Sequence, residues 1–325
     1  MVKKLQTIGA KELLDSTFAP QVSLIDDLLY SGIYIFAGPP KTGKSFLVLQ
    51  IAYHVAMGLP FWGWTTHKKS VVYLALEDVC FRLQKRFAVI AGIESAITDN
   101  DLQFCTEEIL IADGLAESIE HFIHTHKNIG LIIIDTLKKI RESKTVNCSY
   151  SDDYEDIDTL KKISDKYSVC IILVHHTRKS YADDPLDMIS GSNGLLGAAD
   201  GGFVLMKKTR TDNNAILNIV GRDQPSMRLK IEFNPQEQKW EYNGEDFPLE
   251  TIKSDSLLPL IDEFLTDEWS GTASELISAL SLNDMTPIAL GRKLNVSISE
   301  LFNKYKISFK VKRQKERIIT LRRIE

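Results

Sequence analysis

The chain has 325 residues, of which 44% are hydrophobic and 26% charged, with a formal net charge of −5. This is ordinary globular composition; it excludes a collagen, a disordered chain and a heptad rod, and the length predicts two domains at about 100–200 residues each. No apolar run approaches the roughly 18 residues of a membrane span, and the N-terminal MVKKLQTIGAKELLDSTF has no apolar signal segment, so a cytoplasmic protein is expected.

Taken in chain order, strand and helix patterns alternate through the first three-quarters. Gly32-Ile33-Tyr34-Ile35-Phe36-Ala37 reads as a strand, Lys44 to about Met57 as a helix, and Val71-Val72-Tyr73-Leu74-Ala75-Leu76 as a buried strand ending at Glu77-Asp78. Leu131 to Asp135 and Val169 to Val174 are two more apolar strands, with a helix over Asp156–Tyr167 between them. Near-continuous apolar strands separated by helices imply an α/β fold with a mainly parallel central sheet covered on both faces. Gly202–Met206, Ala215–Val220 and Lys230–Phe233 follow, punctuated by Asp212-Asn213-Asn214 and Asp223-Gln224-Pro225, and predict an antiparallel extension.

A polar stretch with Gly244 and Pro248 marks a boundary. The expected division is a nucleotide-binding domain over 1–245, a linker over 246–255 and a small domain over 256–325. In the last part, Leu257–Leu265 and Thr272–Leu280 read as helices. A third opens at Thr286-Pro287, with Thr as N-cap and Pro at the first helical position. Ile307–Val311 and Ile318–Leu321 alternate as a hairpin. Three helices and a hairpin match a winged helix.

Charge is uneven. Between Arg292 and Glu325 eleven basic residues meet three acidic ones, so this end carries +8 and the rest of the chain −13. Such asymmetry predicts a local anionic partner. The stretch Lys310-Val311-Lys312-Arg313-Gln314-Lys315-Glu316-Arg317 would be a wing suited to duplex DNA phosphates, or the face of a protein-docking module. The four cysteines, Cys80, Cys105, Cys148 and Cys170, form no C-x-x-C pair and have no histidine at zinc-ligand spacing, which predicts reduced thiols.

The chemistry concentrates at Gly38-Pro39-Pro40-Lys41-Thr42-Gly43-Lys44-Ser45, a complete G-x-x-x-x-G-K-[ST] phosphate loop between a predicted strand and a predicted helix. The glycines let backbone N–H groups face phosphates, and the helix N-terminus adds partial positive charge. Lys44 would reach the β- and γ-phosphates of ATP, and the Ser45 hydroxyl would ligate Mg²⁺. Asp135, ending an apolar strand, can hold the same Mg²⁺ through water. Glu77 ends the next strand at the same sheet edge and can deprotonate the attacking water, with Asp78 as the adjacent alternative. His175 and His176 end a further strand there, where an imidazole can bond the γ-phosphate. No third ligand accompanies them, so a metal site is not expected. Phe61-Trp62-Gly63-Trp64 suggests a base-stacking platform or, more simply, packing at the end of the phosphate-loop helix.

Together these features resemble the RecA-type P-loop ATPases, most closely the RepA-type hexameric helicases of plasmids and related ATPases of phages and mobile elements. The likeness runs from about Leu5 to Tyr242. It rests on Val22–Leu29 before the loop strand, the loop itself, Leu76-Glu77-Asp78, Ile134-Asp135-Thr136-Leu137 and His175-His176-Thr177-Arg178-Lys179. Ser190-Gly191-Ser192-Asn193-Gly194-Leu195, Asp200 and Gly221-Arg222-Asp223 complete it. The resemblance implies that Glu77 is the catalytic base, His175 or His176 the phosphate sensor, and Lys179–Asn193 a loop facing a central channel. RepA-type proteins carry an arginine soon after the aspartate matching Asp200, where this chain has Gly201, Gly202 and Phe203. Arg222 instead matches the trans-acting finger of related ring helicases, with Lys207 and Lys208 as alternatives and a surface ion pair as the simpler reading. Fewer than forty residues precede the loop, too few for the N-terminal domain with which some ring helicases recruit primase. The implied function is an ATP-hydrolysing, hexameric helicase or translocase on single-stranded DNA. A nucleotide-switched DNA-binding regulator with slow ATPase is the alternative.

Overall fold

The computed structural model describes residues 5, 7–141, 150–177, 185–189, 194–209, 211–245, 257–282, 285–313 and 317–324. The chain divides into two compact units, Ser23–Glu250 and a smaller one that joins Met1–Val22 to Thr251–Glu325. The expected division runs 1–245 as one domain, whereas here the residues before Ser23 cluster with the C-terminal part. The expected linker, 246–255, lies outside the described residues.

In chain order the elements are α1 (Ala10–Asp15), β1 (Ser23–Ile25), β2 (Leu29–Tyr30), β3 (Gly32–Gly38), α2 (Lys44–Met57), β4 (Ser70–Ala75), α3 (Cys80–Ala91), β5 (Leu102–Cys105), α4 (Leu115–Thr125) and β6 (Ile129–Asp135). Then come α5 (Tyr150–Tyr167), β7 (Cys170–His176), α6 (Gly194–Ala198), β8 (Gly201–Lys207), β9 (Asn214–Gly221), β10 (Met227–Asn234) and β11 (Lys239–Glu245). The smaller unit adds α7 (Leu257–Phe264), β12 (Glu268–Thr272), α8 (Ala273–Ala279), α9 (Pro287–Val296), α10 (Ile298–Asn303), β13 (Ile307–Arg313) and β14 (Arg317–Arg323).

The larger unit is built on a nine-stranded sheet of order β11-β10-β9-β8-β3-β7-β6-β4-β5. From β8 to β5 all neighbours are parallel, and β9, β10 and β11 extend the sheet antiparallel. β8 itself runs parallel to β3, so the antiparallel part begins one strand later than the turn pattern suggests. The parallel strands are apolar on both faces because both are covered. Tyr73, Leu131, Ile133, Cys170 and Ile172 pack with α2 on one side, and Val72, Leu74, Ile132, Ile134, Ile171 and Leu173 pack with α4 and α5 on the other. Each such aliphatic side chain is fully or nearly fully buried, worth roughly 1.5–3 kcal/mol. This core holds the C-terminal strand ends of β3, β4, β6 and β7 along one edge, and that edge carries the polar residues.

In the smaller unit, β12, β14 and β13 form an antiparallel sheet in that order over a core of Leu257, Leu258, Ile261, Leu276, Leu290, Leu294, Leu301 and Leu321. Thr286 caps α9 by accepting the Ala289 amide, with Pro287 at its first turn. Thr272 and Glu275 form a reciprocal capping box at α8. Among the described residues no helix is long and apolar enough to cross a membrane. Cys80, Cys105 and Cys170 are free thiols.

Candidate active site

β3 delivers the chain into the phosphate loop at Gly38, and α2 begins six residues later. Gly43 sits at φ 94°, in the left-handed region, so a side chain there is strained. A Cβ on Gly43 would also come within 2.9 Å of the Trp240 ring, and one on Gly38 within 2.7 Å of the Leu205 carbonyl oxygen. The Thr42 hydroxyl donates to the Pro39 carbonyl (2.8 Å) and tightens the loop. Pro40 and Lys41 are exposed at its tip, and Pro39 is half-buried. Lys41, Thr42, Gly43, Lys44 and Ser45 frame a cavity of about 200 Å³ whose other walls include Glu77, Arg86, Asp135 and His176.

Lys44 is buried, and its ammonium donates to the carbonyls of Gly38 (2.8 Å) and Pro39 (2.9 Å). Burial lowers its pKa to about 8, against the attraction of Asp135 and Glu77. The sign is that of a cation short of solvent: below about pH 8 the ammonium is present for a phosphate to meet, and above it the charge is lost. Nucleotide affinity should accordingly be level from pH 7 to about 8 and fall about tenfold near pH 9, where an ordinary lysine would hold its charge. Titration of an ATP analogue across that range checks this, and a flat profile to pH 10 would contradict it.

Asp135 ends β6, almost wholly buried. Tyr73 donates its hydroxyl to Asp135 Oδ2 (2.8 Å). Burial raises the Asp135 pKa, while hydrogen bonds from Ser45 and Tyr73 oppose the rise. A buried carboxylate bonded to the first-turn serine of α2 suits a divalent cation, which would supply the charge that burial withholds. Ser45 and Asp135 are the residues that would hold Mg²⁺. Among the described residues there is no cluster of three or more His, Cys, Asp or Glu suited to a metal.

Glu77 follows β4, exposed at the cavity mouth, and Glu77 Oε1 accepts the Thr136 hydroxyl (3.0 Å). Its neighbour Asp78 is engaged by two arginines, with Arg82 Nε at 3.1 Å and Arg86 Nη1 at 2.7 Å. The geometry thus separates two carboxylates that are equivalent as sequence: Glu77 is available to a water, and Asp78 is tied down at the start of α3.

The two histidines separate as well. Successive residues of a strand face opposite sides, and β7 pairs Ala37 with His175 and Gly38 with His176. His176 shares the side of Cys170, Ile172 and Val174, which pack with α2, and lines the cavity. Its Nδ1 lies 3.3 Å from Lys44 Nζ. Burial, then the Lys44 charge, lowers the His176 pKa, so the ring is neutral at pH 7. His175 is not among the cavity's lining residues.

Arg222 does not join this group. Gly221 pairs with Gly201 at the start of β8, so Arg222 lies at the opposite edge of the sheet from the phosphate loop. It is largely exposed, 3.5 Å from Asp200 Oδ1, and donates to the Gly197 carbonyl (3.1 Å). The same Asp200 binds Lys161 and accepts the Ile33 amide (3.0 Å). Gly201 has no room for a side chain, because a Cβ would come within 2.6 Å of the Val220 carbonyl oxygen; at Gly202 a Cβ would meet only the end of the Leu196 side chain, at 2.9 Å. Lys207 is on the loop edge, over the Trp240 ring at 5.0 Å, and Lys208 follows β8. Of the segment Lys179–Asn193, residues 179–184 and 190–193 lie outside the described residues.

Two residues escape sequence reasoning. Trp240, fully buried on β11, donates its indole N–H to the Gly43 carbonyl (3.1 Å). Its backbone is gripped by Gln50 of α2 through bonds of 2.9 and 3.0 Å and by the Trp62 indole (2.8 Å). The antiparallel extension therefore braces the phosphate loop, and the Phe61–Trp64 aromatics pack against that brace. Arg86 stacks over Phe46 at 4.7 Å while holding Asp78.

No curated protein is significantly similar in sequence. Among solved structures, the ATPase domain of G40P is 15% identical with a TM-score of 0.53, over 65% of this chain and 84% of that one. The KaiC-like protein PH0186 from the hyperthermophilic archaea Pyrococcus horikoshii OT3 is 17% identical with a TM-score of 0.50, over 68% and 93%. At these identities the likeness is one of fold, and it is that of the RecA-like ATPase core. The family described as the AAA domain matches residues 4–182, more than half of the chain. By its matched sequence, its sheet and its phosphate loop, the chain belongs to the AAA domain family of P-loop ATPases.

Proposed function

We propose that the protein is an ATP-driven, Mg²⁺-dependent helicase or translocase on single-stranded DNA, working as a hexameric ring in the replication of a plasmid, phage or mobile element. Lys44 charges the β- and γ-phosphates, Ser45 and Asp135 hold the Mg²⁺, Glu77 takes the proton of the attacking water, and His176 contacts the γ-phosphate. One observation carries the ring. Among the described residues the arginine that lines the cavity is Arg86, and it is committed to Asp78. Charge developing on a transferred phosphoryl group calls for a further cation. A neighbouring copy would supply it, and Arg222 is the candidate: its pairing with Asp200 is long and solvent-exposed, a contact of little strength. Sizing with an ATP analogue and an oligonucleotide should give a particle of several copies. A monomer under all conditions would rule the ring out.

The second reading is a nucleotide-switched regulator with slow turnover. It is favoured by Gly201, Gly202 and Phe203, which stand where RepA-type proteins carry an arginine soon after the aspartate.

We read the smaller unit as a winged helix with the β13–β14 hairpin as its wing, a reading supported by its helices followed by a hairpin. Lys310 and Lys312 are exposed on it, which supports contact with duplex DNA. The side chain of Arg313 and all of Lys315 lie outside the described residues. Changing Lys312, Arg313 and Lys315 together to Ala should weaken duplex binding and flatten the salt slope of log K by up to about 2.7, at about 0.9 per phosphate. Basal ATPase should stay unchanged. Titrations at several salt concentrations measure it, and equal slopes for mutant and parent would leave the domain as a protein-docking module.

A further inference from the structure

Within the smaller unit, residues 14–21 run along one stripe of α9 and α10. Arg292 Nε donates to Asp15 Oδ1 (3.0 Å), and Asn295 Nδ2 donates to the Leu14 carbonyl (3.0 Å). The Thr17 hydroxyl donates to Asn295 Oδ1 (2.9 Å), and the Gln21 amide donates to Ser299 Oγ (2.9 Å). Asn303 Nδ2 donates to the Gln21 carbonyl (2.9 Å). Arg292 and Asn295 lie on α9, and Ser299 and Asn303 on α10, which follows it after Ser297. From the hairpin, Arg317 Nη2 donates to the Asp15 carbonyl (2.9 Å). One acidic residue thus gathers a guanidinium from α9 and another from the start of β14. The hydrogen bond from Arg292, joined by the charges of Arg292, Arg317 and Lys11, holds the Asp15 carboxyl below the usual carboxylate range.

Asn295 and Asn303 are buried with the segment lying on them, and Arg292 and Arg317 are half-buried; arginine and asparagine are the groups that take phosphate oxygens and base edges once uncovered. The segment lying on them is held by polar contacts. α1 has six residues and none is buried; Leu13, Leu14 and Phe18 remain exposed. A helix so short does not stand by itself in water, and the part-buried bonds that hold the segment are polar ones, of the kind a phosphate oxygen or base edge can replace. Beside the segment a cavity of about 700 Å³ opens, with Lys11, Asp15, Arg292 and Arg317 among its walls.

We propose that the Arg292–Asn295–Ser299–Asn303 face, together with Arg317, is a duplex-DNA contact surface that the chain's own residues 14–21 cover, Asp15 occupying the place of a phosphate. This rests on the reading of the smaller unit as a DNA-binding domain. It adds a surface distinct from the wing tip and a competitor built into the chain. DNA binds this face only in the fraction of molecules whose cover is open, and apparent affinity is reduced by that fraction.

The test uses the full chain and a fluorescent duplex. Asp15→Asn removes the charge but keeps the shape, and should tighten duplex binding at least about fivefold. Glu12→Gln makes the same change of net charge on α1, outside the 14–21 cover, and should leave affinity near that of the parent. As a second arm, Thr17→Cys with Asn295→Cys allows the cover to be locked: the oxidised form should bind duplex several-fold more weakly than the same protein reduced, with the parent oxidised alongside as control. If Asp15→Asn and Glu12→Gln act alike, or the locked and reduced forms bind equally, the proposal is overturned. Duplex binding by the parent chain separates the two levels. If neither the parent nor Asp15→Asn binds duplex, the DNA reading fails and this inference with it. If the parent binds duplex while Asp15→Asn gains nothing over Glu12→Gln, this inference alone fails.

Discussion

Lys44→Ala is expected to reduce ATP hydrolysis by at least about 10²–10³-fold, the scale on which loss of one preorganised charge contact costs turnover. The ammonium is buried and already aimed by the Gly38 and Pro39 carbonyls, so it meets developing phosphate charge without reorganising. No other lysine among the described residues can replace it: Lys41 is at the exposed loop tip, and Lys207 lies over the Trp240 ring. The fold should survive, because α2 is anchored along its length by Leu47, Val48, Leu49, Ile51 and Ala52, and Trp240 still braces Gly43. Phosphate release measured beside circular dichroism checks both halves. Normal turnover in a folded variant would remove the phosphate-loop assignment.

Glu77→Gln should leave ATP binding nearly intact and lower kcat by at least about 10²-fold, the range of a general base. The amide can still accept the Thr136 hydroxyl, so the loop after β4 keeps its shape while the proton acceptor is gone. Asp78→Asn is the paired measurement. Its carboxylate is engaged by Arg82 and Arg86, so its loss should loosen the start of α3 and change kcat far less. If the two variants exchange these phenotypes, Asp78 is the base.

The part of the fold that was legible in the sequence is the part whose signals are local. The helix Lys44–Met57 lies as read, because the G-K-S start and Gly58 punctuate it, and the parallel strands declare themselves as unbroken apolar runs. The loop, Asp135 and Glu77 converge because strand C-termini share an edge, which follows from topology alone. What was not legible depends on partners far along the chain. β12, Glu-Trp-Ser-Gly-Thr, has little strand character and exists by pairing with β14. Trp240 reaches Gly43 across almost 200 residues through a strand that a polar composition hides. The union of residues 1–22 with the C-terminal unit is written in side-chain to backbone bonds such as Asn295 to Leu14, which no periodicity encodes. That His176 and not His175 lines the cavity follows from the register of β7 against β3, and that Asp78 is paired while Glu77 faces the cavity follows from the two arginines of α3, one helical turn apart.

The most direct measurement is ATP turnover by the full chain with and without single-stranded DNA, run beside displacement of a strand from a partial duplex. A ring motor should hydrolyse ATP several-fold faster on single-stranded DNA and release the strand only when ATP and Mg²⁺ are present, with Glu77→Gln inactive in both assays. Turnover that ignores single-stranded DNA, with no strand released at any ATP concentration, would contradict the motor and leave a nucleotide-switched regulator.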